Sequence, residues 1–284
     1  MTEQKVKPSW FLLAVVALSL ILIALVVLIL LRPDARPAGG TAEDEGSHAT
    51  QQQVEETRIA PNPFTAEDFV MENGYLQCTA DTAVFGIDIS GFQGDIDWQQ
   101  VKQAGVEFAI IRVAGRGYGQ KGTLYDDGYA QQNYEGAKAA GIAVGAYFFS
   151  QAITPEEAVE EANYILDYTK DWEMEFPIVY DWEYIDEDAR TGNVDAETLT
   201  ACTAAFCHTV ENAGREAMIY FNPHQNQKQF NLEELTDYRF WLAMYSTEMT
   251  YPYKVDMWQY SASGTVPGIT GKVDLNLYFP YDKA

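Results

Sequence analysis

Ile142-Ala143-Val144-Gly145-Ala146-Tyr147-Phe148-Phe149 is followed by Thr154-Pro155-Glu156-Glu157 and, further on, by Phe176-Pro177-Ile178-Val179-Tyr180. The first and last runs are apolar and short, and they read as buried strands. Thr154 to Glu157 is a capping box with Pro at the first helical position. The helix behind it puts Ala158, Ala162, Ile165 and Leu166 on one stripe. Strand, helix, strand is a βαβ unit, the connection that parallel strands require.

The same alternation runs outward in both directions. Upstream, Val84–Ile89 reads as a strand, and Asp97 caps a short helix carrying Trp98 and Val101 that stops at Gly105. Phe108–Val113 is the next strand, and Asp127–Ala140 a helix with Gly141 just past its end. Downstream, Asp195–Ala213 reads as a helix with Leu199, Cys202, Phe206 and Val210 on one stripe, ended by Gly214. Ala217–Phe221, Phe240–Tyr245, Val255–Tyr260 and Val273–Phe279 complete the strands. The pattern predicts an α/β fold, an irregular TIM-like (β/α) barrel over residues 83–284. The irregularity is expected late, where the links are short and carry no clear helix. An open doubly wound sheet is the alternative. No G-x-G-x-x-G follows the first strand, which argues against a nucleotide site, and no internal repeat is apparent.

The N-terminal part has a different character. Trp10 to Leu31 is apolar except for Ser19, and as a helix it would be about 33 Å long, enough to cross a bilayer core. It ends in Leu30-Leu31-Arg32-Pro33 without a small-residue cleavage pattern, so it reads as an uncleaved transmembrane helix rather than a signal peptide. Lys5 and Lys7 in the tail 1–9 weigh slightly more than Arg32 and Arg36 with Asp34 beside them. That balance leans towards a cytoplasmic N-terminus and an extracellular C-terminal part. Residues 32–63 are rich in Pro, Gly, Ala, Thr, Gln and Glu and read as a disordered tether. Residues 64–82 contain Phe69, Val70, Met71, Tyr75 and Leu76 and are expected to pack on the barrel. The 284-residue chain carries a net charge of −24, so nucleic acid is not an expected partner. Its 18 Tyr, 14 Phe and 6 Trp suit both a large core and a sugar cleft, where flat rings match the apolar faces of pyranoses.

In parallel α/β folds the chemistry sits at the C-terminal strand ends. Those ends are repeatedly acidic: Asp88 on the first strand, Asp181 and Glu183 on the fourth, Asp274 on the last. Asp181-Trp182-Glu183 is the sharpest feature, because alternate strand residues share a face and lie roughly 7 Å apart. Repulsion and partial burial should raise one pKa, leaving a protonated carboxyl beside an ionised one. Cleavage of a glycosidic bond needs such a pair, one to protonate the leaving oxygen and one to stabilise the sugar cation. A site for Ca²⁺ or Mg²⁺ competes with this, since paired acids also bind cations. The three histidines lack metal-ligand spacing, and no G-x-S-x-G supports a serine triad.

At these residues the chain resembles family 25 of the glycoside hydrolases, the N-acetylmuramidases often called lysozymes. Gly86-Ile87-Asp88-Ile89-Ser90-Gly91-Phe92-Gln93-Gly94 with Ile96-Asp97-Trp98 is similar to the family's opening signature. Phe108–Arg112 and Gly145–Phe149 resemble the next strands, although many members carry His where Phe148 stands. Asp181-x-Glu183 resembles the central acidic pair. Trp241–Tyr245, Trp258-Gln259-Tyr260 and Val273-Asp274-x-Asn276 resemble the closing strands. The resemblance runs from about Phe85 to Phe279. It implies cleavage of the β-1,4 bond after N-acetylmuramic acid in peptidoglycan glycan strands, without a cofactor. Glu183 would be the general acid, and Asp181 would orient the substrate's 2-acetamido group, with net retention. Asp88 and Asp274 would flank the site. A hydrolase of another N-acetylglucosamine polymer and a non-catalytic wall-binding barrel are the alternatives.

Tyr147, Tyr220, Trp241, Tyr245, Trp258 and Gln259 are candidate sugar contacts, though strand alternation forbids Trp258 and Gln259 from both facing the barrel interior. Of the three cysteines, Cys202 and Cys207 lie five apart on one helix, roughly 8–9 Å between Cα atoms, too far to pair. Cys202 falls on the apolar stripe and Cys207 away from its centre. A Cys78–Cys207 disulfide is therefore expected, with three reduced cysteines as the alternative.

Overall fold

The computed structural model describes residues 59–223 and 230–281, all within one compact unit, 55–284. The tail 1–9, the apolar segment 10–31 and most of the tether 32–63 lie outside the described residues. Among the described residues no helix is long and apolar enough to cross a membrane.

In chain order the elements are β1 (Phe69–Glu72), β2 (Tyr75–Cys78), β3 (Val84–Ile89), α1 (Trp98–Gln103), β4 (Phe108–Arg116), β5 (Leu124–Asp126) and α2 (Ala130–Ala139). There follow β6 (Ala143–Ser150), α3 (Pro155–Tyr168), β7 (Ile178–Trp182), α4 (Ala196–Asn212) and β8 (Ala217–Phe221). The chain closes with β9 (Arg239–Ala243), β10 (Met257–Gly264) and β11 (Val273–Tyr278). Eight strands form a closed ring in the order β3-β11-β10-β9-β8-β7-β6-β4, sealed by the β3–β4 pairing, with β5 attached to β4. The pairs from β3 through β10 are parallel. β11 runs antiparallel to both its neighbours, and this is the irregularity. The last crossover has no helix because a strand that returns antiparallel needs none.

Local chemistry sets the boundaries. Asp97, Thr154 and Asp195 each accept a hydrogen bond from the backbone N–H three residues on, satisfying a donor that the first helical turn leaves open. The Glu157 carboxylate accepts from the Ile153 N–H at 3.0 Å rather than from Thr154, so the capping box closes one residue early. α2 starts at Ala130, three residues later than its sequence pattern suggests. Asp127 does not cap it: its carboxylate accepts from Gly91 N, Arg112 Nε and Tyr129 N. β7 runs two residues further than expected, because Phe149 and Ser150 pair with Asp181 and Trp182.

Strand alternation sorts the apolar residues into two layers. Phe108, Ile110, Val179, Met218, Trp241 and Met257 fill the barrel. Ile87, Ile111, Val144, Tyr180, Leu242 and Leu275 pack outward with the helices and the hairpin. The β1–β2 hairpin, which the sequence pattern did not reveal, turns at Asn73 (φ 52°) and Gly74 (φ 87°). Ahead of it, Asn62 N donates to Pro252 O and Lys254 N to Ala60 O, so the end of the presumed tether is docked.

The expected Cys78–Cys207 bridge does not form, and all three cysteines are free. α4 buries a wider face than one stripe, including Thr203 and Cys207, against β7, β8 and α3. The hairpin carrying Cys78 packs instead on Phe85, Trp258 and Tyr260, along a different arc of the ring.

Where β4 meets α3, Arg116 is buried and donates to Glu161 Oε1 at 2.6 Å and Glu160 Oε2 at 2.7 Å. Ser150 Oγ donates to Glu161 Oε2 at 2.5 Å. Burial pushes the Glu161 carboxyl up to about 7, although Ser150 and Arg116 both favour its ionised form. Glu161→Ala is expected to cost about 3 kcal/mol, because it strips a buried guanidinium of its closest partner. Denaturant unfolding measures this, and a loss under about 1 kcal/mol would show the pair to be structurally idle.

Candidate active site

At the C-terminal ends of the parallel strands, nine side chains line a cavity of about 140 Å³: Asp88, Tyr147, Asp181, Glu183, Tyr220, Trp241, Tyr245, Gln259 and Asp274. These include all four acids and five of the six aromatic or amide residues singled out from the sequence. Trp258 is not among them. On β10, Met257 and Gln259 face the interior, so Trp258 faces outward. It is fully buried, lies 5.1 Å from the Phe69 ring, and donates Nε1 to Met244 O at 2.7 Å. Trp258 is a wall residue, not a sugar contact. Phe148 likewise points outward, against Tyr164, so the missing His leaves the cavity untouched.

Each acid is placed by its strand. Asp88 and Asp274 are direct partners across the antiparallel β3–β11 pair, which sets their side chains on one face and close together. Asp181 is the inward residue of β7 between Phe149 and Tyr220. Trp182 turns out of the barrel, donating Nε1 to Ala152 O at 3.2 Å. Glu183 follows the strand end, and its backbone carbonyl accepts from Gln151 Nε2 at 2.8 Å.

A relay of neutral donors ends on Asp88. Gln259 Nε2 and Asn276 Nδ2 both donate to its Oδ2 at 2.8 Å. Trp241 Nε1 donates to Asn276 Oδ1 at 2.9 Å. The phenols of Tyr220 and Tyr245 donate to Gln259 Oε1 at 3.0 and 3.2 Å. These bonds tie the rings of Tyr220, Tyr245 and Trp241 to Asp88 through Gln259 and Asn276, so the ring positions are fixed before substrate arrives.

Burial acts on every carboxyl, and repulsion from a neighbouring acid adds to it at Asp88, Asp181 and Asp274. Burial holds Asp88 well above the carboxylate range, with Asp274 adding to the effect and the two amide donors opposing it. Asp181 is likewise held well above, by burial and then by Glu183 and Asp88, against the pull of Arg112. Glu183 is raised by burial, while its hydrogen bond with Asp181 favours its ionised form. The same interaction raises Asp181, so a proton shared by the pair is favoured on Asp181 in the absence of substrate. Asp181 Oδ1 is buried and has no hydrogen-bond partner among the described residues. An orphaned polar atom at that depth is costly unless a ligand completes it.

Arg112 and Asn276 belong to the site but were not singled out from the sequence. Arg112 is anchored by Asp127 at 2.8 Å, lies 4.9 Å from the exposed Phe92 ring, and acts on Asp181 through its charge. The available signal was its position on β4 near the strand end, which apolar periodicity cannot distinguish from a surface cation. Asn276 lies two residues from Asp274 on the same strand face, and that spacing alone could have found it. Among the described residues no three acidic, His or Cys side chains converge as a metal site.

The family model described as "Glycosyl hydrolases family 25" matches residues 87–269. Lysozyme M1 of Streptomyces globisporus is 30% identical over 210 residues, covering 70% of this chain and 69% of that protein. The autolytic lysozyme of Clostridium acetobutylicum is 28% identical over 196 residues, covering 67% of this chain and 54% of that protein. Among solved structures, the bacterial lysozyme from Streptomyces coelicolor matches with a TM-score of 0.55 and 26% identity, over 69% of this chain and 92% of that one.

The acid cluster has a consequence for stability. Asp274 is pushed up from 3.8 to about 6 by burial and by Glu183. Because its folded value lies above the unfolded one, the native state holds this proton more tightly, and the associated stability is lost as pH rises from about 4 through 6. Asp274→Asn removes the charge and is expected to raise Tm by about 2–5 °C at pH 7.5, with little change at pH 4.5. Calorimetry at the two pH values decides it; an equal shift at both would contradict the electrostatic origin.

Proposed function

The chain belongs to family 25 of the glycosyl hydrolases, and on that premise we propose that it is a membrane-anchored, extracellular N-acetylmuramidase. It is a glycoside hydrolase of the lysozyme type. Its proposed target is the β-1,4 bond between N-acetylmuramic acid and N-acetylglucosamine in peptidoglycan, cleaved with net retention. The observation that carries this reading is the Asp181–Glu183 pair sharing one cavity with Asp88 and Asp274.

Burial raises the carboxyl of Glu183, the more exposed member of the pair, and in the proposed cycle the proton shared with Asp181 sits on Glu183 once substrate is bound. Glu183 donates that proton to the glycosidic oxygen as the C1–O bond breaks. The substrate's own acetamido oxygen attacks C1 from the opposite face and forms a cyclic intermediate. The unpartnered Asp181 Oδ1 accepts the acetamido N–H, which orients the group and offsets its developing positive charge. Glu183, now ionised, takes a proton from water as that water opens the intermediate. Asp88, bonded by Gln259 and Asn276, holds those two side chains in place beside the reacting centre. Tyr245, 62% exposed at the cavity mouth, offers its ring to a sugar face. The anchor is residues 10–31, whose length and apolar composition suit a bilayer.

Glu183→Gln is expected to lower kcat by about 10²–10⁴-fold with the fold retained, measured as reducing ends released from purified peptidoglycan. Proton NMR of the first-formed product should give the β anomer; a fresh α anomer, or near-normal turnover in the variant, overturns the assignment. Protease added to intact cells should release a soluble fragment carrying the barrel. Protection until lysis would reverse the proposed orientation.

A further inference from the structure

The β1–β2 hairpin precedes the stretch matched by the family, residues 87–269, and the chemistry above makes no use of it. It climbs the outside of the barrel. Phe69 rests on Trp258 near the start of β10, Leu76 N donates to Tyr260 Oη at 3.3 Å, and Tyr75 Oη donates to Thr265 O at 3.3 Å, just past the end of β10. The Asn73–Gly74 turn therefore stands at the same end of the barrel as the carboxyl cavity.

There Met71 and Gly74 form one side of a groove of about 650 Å³, with Tyr245, Ser261, Ser263 and Lys272 also lining it. Tyr245 lines the carboxyl cavity as well, so the two spaces meet at its ring. The volume lies in the range of sites for small ligands.

Three features define what fits. β9 pairs with β10 through Gln259, and Ser246 N then donates to Tyr260 O at 3.2 Å; among the described residues no strand pairs with residues 261–264 of β10 on that side. An open strand edge binds extended peptide backbone by strand addition. Lys272 is exposed and forms no ion pair among the described residues. Lys272 is the only basic residue among those lining the groove, so it offers a carboxylate a pairing partner there. Met71 is 53% exposed and supplies an adaptable apolar contact for a short aliphatic side chain.

We propose that this groove binds the acidic peptide that peptidoglycan carries on its muramic acid residues, next to the bond being cut. The hairpin thereby converts a glycan cleft into one that reads the peptide substituent. The inference rests on the muramidase reading for its choice of ligand.

The test uses the full chain in detergent, as wild type, Lys272→Glu and Met71→Asp, on two substrates. One is purified peptidoglycan, the other the same glycan after an amidase has removed its peptides. Selectivity, the ratio of kcat/KM on the peptide-bearing over the stripped glycan, is expected to fall about fivefold or more in Lys272→Glu and to fall in Met71→Asp, mainly through KM. An unchanged ratio in both variants overturns the proposal. Titration of the freed peptide into Glu183→Gln protein reads the groove without turnover. Saturable binding that Lys272→Glu weakens supports it, and no saturable binding overturns it. If wild type cuts neither substrate, the muramidase reading fails, and the titration still decides the groove.

Discussion

Four carboxyl groups are held in one cavity that water cannot fully solvate, and the rest of the barrel is arranged around that constraint. Left to themselves, carboxylates at this spacing would repel one another or draw in solvent. The closed ring of strands holds them together against that repulsion. Asp88 and Asp274 are locked opposite each other by antiparallel pairing, and Asp181 is clamped between β6 and β8. The donors on Asp88 come from β10 and β11, so the acid on the first strand is tuned by the last two strands. Closure of the barrel is thus what makes the site, because those strands reach β3 only when the ring is complete. The cost appears as raised proton affinities across the cluster, a stability sacrifice common where charge is concentrated for chemistry.

Much of this was legible in the sequence, for physical reasons. Caps are local, so Asp97, Thr154 and Asp195 marked three helix starts without knowledge of tertiary structure. Buried parallel strands are continuous apolar runs, so β3 and β8 were placed to the residue. The spacing of Asp181 and Glu183 pointed to a shared cavity because alternation is rigid. Failures came where distant contacts decide. Asp127 resembles a helix cap but is drawn to Arg112 and Gly91. Trp258 and Gln259 are adjacent, and only barrel closure says which one faces inward. Cys207 looks peripheral on a helical wheel, yet α4 is covered on two sides and buries it. The hairpin had its own signal, Asn73-Gly74, but its strands of four residues lack regular alternation.

The parts of the chain outside the family match give this barrel its individual character. Residues 60–62 bond along the loop before β10, and the hairpin then covers Trp258 and Phe279. The described chain thus enters the barrel along the strands that tune Asp88. The hairpin groove and the cavity open at the same end of the barrel.

The central claim is that this acidic cavity cuts one specific bond. Mass spectrometry of borohydride-reduced products from purified peptidoglycan tests it most directly, because reduction labels the sugar on the cleaved side. The account predicts products ending in reduced N-acetylmuramic acid. Products ending in reduced N-acetylglucosamine would contradict it.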